Sequence, residues 1–145
     1  MVNVLVKKLD PAVKLPEYKT DGASGMDLRA FIKEPINIKP KTSSLVTTGL
    51  SFAFSEDYEI QIRPRSGLAV KNNISVLNTP GTIDSDYRGE IKVIIYNHGE
   101  KDFTINNEDR IAQMILTPVI KMKLKETLDL PETIRGKGGF GSTGK

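Results

Sequence analysis

Short runs in which apolar or β-branched residues alternate with polar ones recur along most of the chain, and no segment keeps helical periodicity for three turns. An alternation with period two predicts strands that bury one face and expose the other. Turn sequences such as Asp21-Gly22, Asn72-Asn73 and Asn97-His98-Gly99 separate these runs. Many short strands between turns predict an all-β domain of the sandwich, jelly-roll or small-barrel type.

A chain of 145 residues is long enough for one domain with a real core. We expect a β domain over residues 1–131 and a C-terminal arm over 132–145, with one helical turn at Ser66 to Val70. The candidate strands are Val2 to Leu9, Met26 to Phe31, Leu45 to Phe54, Tyr58 to Arg63, Ile74 to Val76, Glu90 to Tyr96, Phe103 to Ile105, Ile111 to Leu116 and Val119 to Lys125.

The composition excludes several chemistries. The chain has no cysteine and one histidine, so disulfides, thiolate nucleophiles and zinc clusters are excluded. His98 lies in a predicted turn and is expected at the surface, without a catalytic role. A metal would therefore be a hard cation on oxygen ligands. The net charge of +3 suits a phosphorylated small molecule as well as a nucleic acid.

Nothing in the sequence predicts contact with a membrane. Lysines follow the short apolar N-terminus instead of preceding it, and no apolar run approaches spanning length, so we expect a cytoplasmic protein. From Ile120 to Lys125 apolar residues alternate with lysines, which is typical of a strand with one solvated face.

The last eleven residues, Arg135 to Lys145, combine five glycines with groups that suit a nucleotide. A glycine-rich segment loses much conformational entropy when it becomes ordered, so this tail is expected to be mobile until it closes over a ligand. Arg135 offers a fork for phosphate, Ser142 and Thr143 offer hydroxyls, and Phe140 offers a flat face for a base. The alternative is a flexible linker. The G-x-x-x-x-G-K pattern at its end lacks the Ser/Thr and the helix of a phosphate loop.

Two internal segments have unusual compositions for turns. Arg63 to Ala69 ends a strand with two guanidinium groups, a hydroxyl and a glycine, which can cradle a phosphate chain or form an ordinary basic turn. Asn78 to Glu90 brings together an amide for a base edge, the ring of Tyr87 for a sugar, and Asp84 as a possible general base. A calcium loop is the alternative, but its glycine and distal glutamate are misplaced.

Two further segments place single chemical groups near strand ends. Asp27 follows Ala23 to Met26 at the start of a strand, where it can hold a magnesium-bound water or act as a turn aspartate. Glu108 to Ile115 begins with an Asp109-Arg110 pair of expected structural role and adds Gln113 as a possible phosphate donor.

Together these five segments resemble, in order and approximate spacing, the five motifs of the homotrimeric deoxyuridine triphosphatase (dUTPase) family. The motifs read ASGMDL, PRSGLA, NTPGTIDSDYRGE, NEDRIAQM and RGKGGFGSTG, and they extend from Ala23 to Gly144. The resemblance implies a jelly-roll protein that hydrolyses dUTP to dUMP and pyrophosphate with Mg²⁺. It also implies a homotrimer with its active sites at subunit interfaces and no nucleic-acid or membrane partner. Such enzymes clear dUTP from the DNA precursor pool and supply dUMP for thymidylate synthesis.

The resemblance also assigns roles by position. Asp84 would activate the attacking water, Asp27 would orient magnesium-bound waters, and Arg135 would close on the γ-phosphate. The triphosphate would be bound by Arg65, Ser66, Gly67 and Gln113. The nucleoside would be bound by Asn78, Gly81, Thr82, Ile83, Tyr87 and Lys92, and covered by Phe140, Gly141 and Ser142 of the tail. In this family Tyr87 would pack on the deoxyribose and exclude a ribose 2′-hydroxyl, and Phe140 would stack on uracil.

Two other functions are considered. A dCTP deaminase of related fold would need a glutamate acting at the base, whereas this hairpin is centred on Asp84. A non-catalytic nucleotide-binding module would be expected to lack the aspartate or the tail, and both are present.

Overall fold

A computed structural model gives the architecture, and it describes residues 1–141. Eleven strands and one short helix form the described part of the chain. The strands are β1 Leu5–Lys8, β2 Met26–Arg29, β3 Ile36–Ile38, β4 Ser43–Thr47, β5 Leu50–Ala53, β6 Tyr58–Arg63, β7 Ile74–Val76, β8 Gly81–Ile83, β9 Lys92–Asn97, β10 Phe103–Ile105 and β11 Arg110–Pro118; the helix α1 is Ser66–Asn72. The all-β prediction is confirmed, and no described helix is long and apolar enough to cross a membrane.

Four antiparallel sheets enclose a single core. Their strand orders are β1-β5, β3-β10, β2-β11-β6-β8 and β4-β9-β7. Alternation explains how each strand faces this core: in β6 Ile60 and Ile62 are buried, and in β9 Val93 and Ile95 are buried. Asn97 is also buried, and its amide is satisfied because Nδ2 donates to the carbonyls of Ile38 and Lys101.

The four-stranded sheet positions Asp27 and Gln113, two of the polar residues predicted for the site. Asp27 on β2 lies opposite Gln113 on β11, which lies opposite Arg63 on β6. Directly opposite residues point to the same face, so these three side chains share one face. The neighbouring Leu28 and Ala112 are also opposite each other and are buried in the core. The polar row therefore lies on the face away from the core.

Several predicted boundaries require correction. The predicted strand Leu45 to Phe54 is two strands, because Gly49 between them has φ +68 and cannot continue a strand. Strands β3 and β8 were not predicted, and helix α1 is longer than the single turn expected. His98 is exposed, as predicted, and its Nε2 lies 2.7 Å from Ser75 Oγ.

The predicted strand from Val119 to Lys125 is wrong. After β11 one further backbone bond joins the chain to the domain, from Val119 N to Asp57 O at 2.8 Å, and residues 120–141 then have no strand partner within the described part of the chain. Ile120 is 93% exposed, so the alternating apolar face covers none of the residues that the structure describes. Lys121 pairs with Glu56, and this hydrogen bond raises the pKa of the Lys121 ammonium. A strand needs a partner for its backbone groups, and none of the described residues supplies one here.

Candidate active site

Asp27 lies between two arginines. Its Oδ1 accepts a hydrogen bond from Arg65 Nε at 2.7 Å, and its Oδ2 accepts one from Arg110 Nη1 at 3.2 Å. Arg65 also approaches the Arg110 carbonyl at 3.4 Å. The side chains of Arg65 and Asp27 are about four-fifths buried, at 22% and 19% exposure, which limits screening by solvent. We call Asp27, Arg65 and Arg110 the arginine cluster; its two guanidinium groups exceed its one carboxylate.

The remaining phosphate-side residues adjoin this cluster. Gln113 Nε2 donates to the Pro64 carbonyl at 2.9 Å, which ties β11 to the turn that presents Arg65. Ser66 and Gly67 are exposed at the start of α1. Arg63 is directed elsewhere, because its guanidinium donates to Gln61 Oε1. Of the two guanidinium groups that the sequence offered in this segment, only that of Arg65 belongs to the cluster.

Arg110 is the main residue whose partner the sequence did not reveal. It was expected to pair with Asp109, but Asp109 Oδ2 accepts from the backbone N of Asn106, while Arg110 pairs with Asp27. Asp27 and Arg110 are 83 residues apart. Adjacent residues of a strand point to opposite faces, and this alternation was the only feature of the sequence that argued against a pair between Asp109 and Arg110.

The predicted base-side residues gather at a second place. The hairpin expected at Asn78 to Lys92 does not form, because β8 pairs with β6 in one sheet and β9 pairs with β4 and β7 in another. We call β8, β9 and the loop between them the β8–β9 segment; a cavity of about 340 Å³ lies there. It is lined by Leu45, Thr82, Ile83, Asp84, Tyr87, Glu90 and Lys92. Asn78 adjoins this segment, since a Cβ at Gly81 would lie 3.4 Å from Asn78 Nδ2. Leu45 and Glu90 were not predicted to line the site; Glu90 ends the third motif but was given no role there, and Leu45 lies outside all five motifs.

Asp84 differs from Asp27 in its surroundings. It is exposed, and among the residues that the structure describes no hydrogen bond or ion pair engages its carboxylate. Its backbone carbonyl accepts from Tyr87 N at 3.1 Å, which forms the turn that places the tyrosine beside it. The carboxylate of Asp84 is therefore free to contact a water or a ligand, whereas that of Asp27 is already engaged by two guanidinium groups.

The tail residues join neither group. Arg135 Nε donates to the Gly138 carbonyl at 2.8 Å, and Gly136 N donates to the Thr133 carbonyl and hydroxyl, so these hydrogen bonds stay within the segment. Phe140 is fully exposed and has φ +51, and Gly141 follows with φ +87. Ser142, also predicted to bind substrate, and Thr143, whose hydroxyl was singled out with it, lie outside the described residues.

The arginine cluster and the base-side cavity are far apart in one chain. Across the sheet, Asp27 on β2 and Asp84 just after β8 are separated by three strand-to-strand steps. Along the strands they are separated by four residues of β6, because Asp27 lies in the row of Arg63, whereas Asp84 continues β8 opposite Glu59. At about 4.8 Å per step and about 3.3 Å per residue, their Cα atoms lie on the order of 20 Å apart. The sequence-predicted residues therefore form two partial sites.

The chain is thus an all-β domain that carries two separate partial sites of polar residues. The sequence model of the dUTPase family matches residues 12–144. The deoxyuridine 5'-triphosphate nucleotidohydrolase of Rickettsia bellii is 55% identical over 145 residues, covering 99% of this chain and 97% of the relative. The protein of that name from Fusobacterium nucleatum is 51% identical over 146 residues, covering 100% of both. The chain belongs to the dUTPase family.

Solved structures agree on the fold. The Staphylococcus bacteriophage 80alpha dUTPase with dUPNHPP has a TM-score of 0.88 at 23% identity and covers 99% of both chains. A dUTPase from phage phi11 of S. aureus has a TM-score of 0.80 at 19% identity, covering 90% of this chain and 99% of its own. At these identities the likeness concerns the fold, and it confirms the predicted jelly-roll-like β domain.

Proposed function

We propose that this chain hydrolyses dUTP to dUMP and pyrophosphate, with Asp84 as the base that activates the attacking water. As a member of the dUTPase family the chain is a dUTP diphosphatase, and its relatives bear the name of that activity. The observation that carries the mechanism is the unengaged carboxylate of Asp84 at the rim of the cavity that Thr82 and Tyr87 line.

In the proposed step the water oxygen forms a bond to the α-phosphorus. The bond from that phosphorus to the α–β bridging oxygen breaks, so pyrophosphate leaves, and the water proton passes to Asp84. A carboxylate positioned in this way contributes roughly 10²–10⁴-fold to rate. Uracil would occupy the cavity against Asn78, Gly81 and Lys92, with Tyr87 on the deoxyribose.

The triphosphate is assigned to the side of the arginine cluster. Arg65, Ser66, Gly67 and Gln113 would bind its oxygens, and Arg135 from the tail would neutralise the γ-phosphate as charge moves to the leaving group. The excess positive charge of the cluster supports this assignment because the triphosphate is a polyanion. Phe140, Gly141 and Ser142 would then cover the base as the tail orders.

Magnesium fits this side of the site. Among residues 1–141 no three acidic or histidine side chains converge to hold a metal unaided. Asp27 offers hard oxygens that each accept one hydrogen bond, which leaves lone pairs for metal-bound water. Mg²⁺ commonly keeps several waters and binds through one or two carboxylates together with substrate phosphates, where it neutralises their charge. A mutant dUTPase of phage phi11 coordinates a structural Mg(II) ion.

The separation of the two partial sites supports a homotrimer. Asp84 acts at the α-phosphorus and Asp27 at water around the triphosphate, so both must lie within a few ångströms of one substrate. A gap on the order of 20 Å within one chain prevents this, whereas a neighbouring copy can bring its arginine cluster to the cavity. The unpartnered residues 120–141 also leave the tail free to reach another subunit.

Mixing two inactive variants tests the composite site. Asp84→Asn and Asp27→Asn are unfolded together and refolded as mixed trimers, with each variant alone as the control. If Asp84 and Asp27 act from different subunits, about one quarter of the sites in randomly mixed trimers regain both carboxylates. Activity near that fraction of wild type is expected. Activity no higher than that of the separate variants would show that one chain holds the complete site.

The substrate is tested directly. Purified protein is incubated with dUTP, dCTP, dTTP or UTP and Mg²⁺, and the products are separated. We expect dUMP and pyrophosphate from dUTP alone; deamination of dCTP or binding without turnover would contradict the proposal. Such an activity removes dUTP from the DNA precursor pool and supplies dUMP for thymidylate synthesis, and we place it with that pool in the cytoplasm.

A further inference from the structure

Gly89 lies directly against the ring of Tyr87. A Cβ built at Gly89 would lie 2.3 Å from Tyr87 Oη, 2.5 Å from Cζ and 2.9 Å from Cε2. Non-bonded carbon atoms prefer about 3.5–4.0 Å, so each of these contacts is well inside contact distance. The present ring position is therefore available only when residue 89 has no side chain.

The ring is held there by hydrogen bonds within the loop. Tyr87 Oη donates to the Glu90 carbonyl at 3.1 Å, and Tyr87 N donates to the Asp84 carbonyl at 3.1 Å. The ring therefore folds back over Gly89 and at the same time lines the base-side cavity. The position of the ring and the position of Asp84 depend on the same turn.

The backbone on the other side of Gly89 is anchored to the body of the protein. Glu90 Oε1 accepts from Gly49 N at 2.9 Å, and Ile91 N donates to the Leu50 carbonyl at 2.7 Å. Thr48 Oγ1 donates to the Ile91 carbonyl at 2.7 Å. Tyr87, in contrast, is 44% exposed. A clash at residue 89 would therefore be relieved by movement of the Tyr87 ring and not by movement of the backbone at Glu90 and Ile91.

We propose that Gly89 is a positioning residue that determines sugar selectivity. Because Gly89 has no side chain, the Tyr87 ring can occupy its present position beside the cavity. This inference rests on the proposed role of Tyr87 against the deoxyribose. A ring displaced toward the cavity or out of it no longer matches the sugar. Misplacement of a positioned group by about 1 Å can reduce rate by about a hundredfold.

The test compares kcat/KM for dUTP and UTP. Gly89→Ala should lower the dUTP-to-UTP ratio roughly ten- to hundredfold. Gly22→Ala is the matched control, because a Cβ at Gly22 meets no atom within 4 Å, and it should leave the ratio unchanged. The variants Tyr87→Ala and Tyr87→Ala/Gly89→Ala complete a double-mutant cycle. If Gly89 acts through the ring, the double variant should have the ratio of Tyr87→Ala alone.

The outcomes separate the two hypotheses. If Tyr87→Ala lowers the ratio and Gly89→Ala leaves it within about twofold of wild type, the role of Gly89 is wrong and that of Tyr87 stands. If Tyr87→Ala leaves the ratio unchanged, the proposed role of Tyr87 fails, and with it the inference. Should Gly89→Ala alone not fold, the double variant must fold, since the three nearest clashing atoms all belong to Tyr87. A double variant that also fails to fold overturns the inference.

Discussion

The β8–β9 segment and the C-terminal segment of residues 119–141 both carry proposed nucleotide contacts, but they are held in opposite ways. Both strands of the β8–β9 segment are paired with the body of the domain, β8 with β6 and β9 with β4 and β7, and the loop between them is anchored through Glu90. The C-terminal segment keeps one backbone bond to the domain, at Val119, and its large apolar side chains beyond Val119 are exposed. The β8–β9 segment is organised before substrate arrives, whereas contacts from the tail must be made on binding.

The largest effect on catalysis should come from a substitution in the loop between β8 and β9. Asp84→Asn removes the proton acceptor and keeps the size of the side chain, so kcat should fall by roughly 10²–10⁴-fold while nucleotide binding is retained. Single-turnover hydrolysis and equilibrium binding measure the two separately. Asp86→Asn, two residues away in the same loop, is the matched control and should retain nearly full activity. Turnover by Asp84→Asn near the wild-type rate would remove the proposed base.

The tail should affect the chemical step and leave the fold unchanged. Deleting residues 135–145 removes the proposed γ-phosphate partner, and kcat should fall by roughly 10²–10³-fold. The melting temperature should stay within about 1 °C, because none of the described residues 135–141 belongs to the buried core. Arg135→Ala should reproduce most of the loss, and Lys137→Ala should not. An unchanged chemical rate after the deletion would mean that the tail is a linker.

Phe140 gives a smaller effect on binding. Stacking of a base on an aromatic ring is worth about 1–3 kcal/mol, so Phe140→Ala should raise KM for dUTP by roughly tenfold or more. Phe140→Tyr keeps the ring and should remain close to wild type. Equal KM values for the alanine and wild-type proteins would show that the exposed ring stays away from the base.

The smallest effect tests the anchoring of the loop between β8 and β9. Glu90→Ala removes the acceptor for Gly49 N and should lower the free energy of unfolding by about 1–2 kcal/mol. Urea denaturation measures this loss. Glu90→Gln keeps an acceptor oxygen and should lose less. No change in either variant would mean that the loop is held by its backbone bonds alone.

The sequence predicted the fold best where alternation continues through a whole strand. Tyr58–Arg63, Ile74–Val76 and Phe103–Ile105 agree with prediction residue for residue. Strand β8 was missed because Gly81 and the preceding proline signal a turn, and its pairing with β6 depends on distant residues. The segment from Val119 was wrongly predicted for the opposite reason, since its local pattern favours a strand and residues 1–141 offer it no partner.

For the candidate site, the motif residues were predicted and their partners were not. Asp27 and Arg65 were both expected near phosphate, yet nothing in their local sequences indicates that one carboxylate holds two arginines. Arg63 was grouped with Arg65, but its hydrogen bonds follow the strand to Gln61. Sequence spacing reports which groups are near along the chain, whereas the register of β2, β11 and β6 decides which of them meet.

The charge of the arginine cluster should also affect how fast a nucleotide associates with the protein. Two guanidinium groups on one aspartate leave a net positive charge, in a chain whose overall charge is +3. The cavity side carries two carboxylates, Asp84 and Glu90, and one ammonium, Lys92, so its excess charge is negative. If the proposed composite site forms, a nucleotide approaching through solvent would meet an electric field that attracts its phosphates to one side and turns its neutral base toward the other. Such orientation acts over about one Debye length, so the association rate constant should fall as salt concentration rises, even where the bound complex is unchanged.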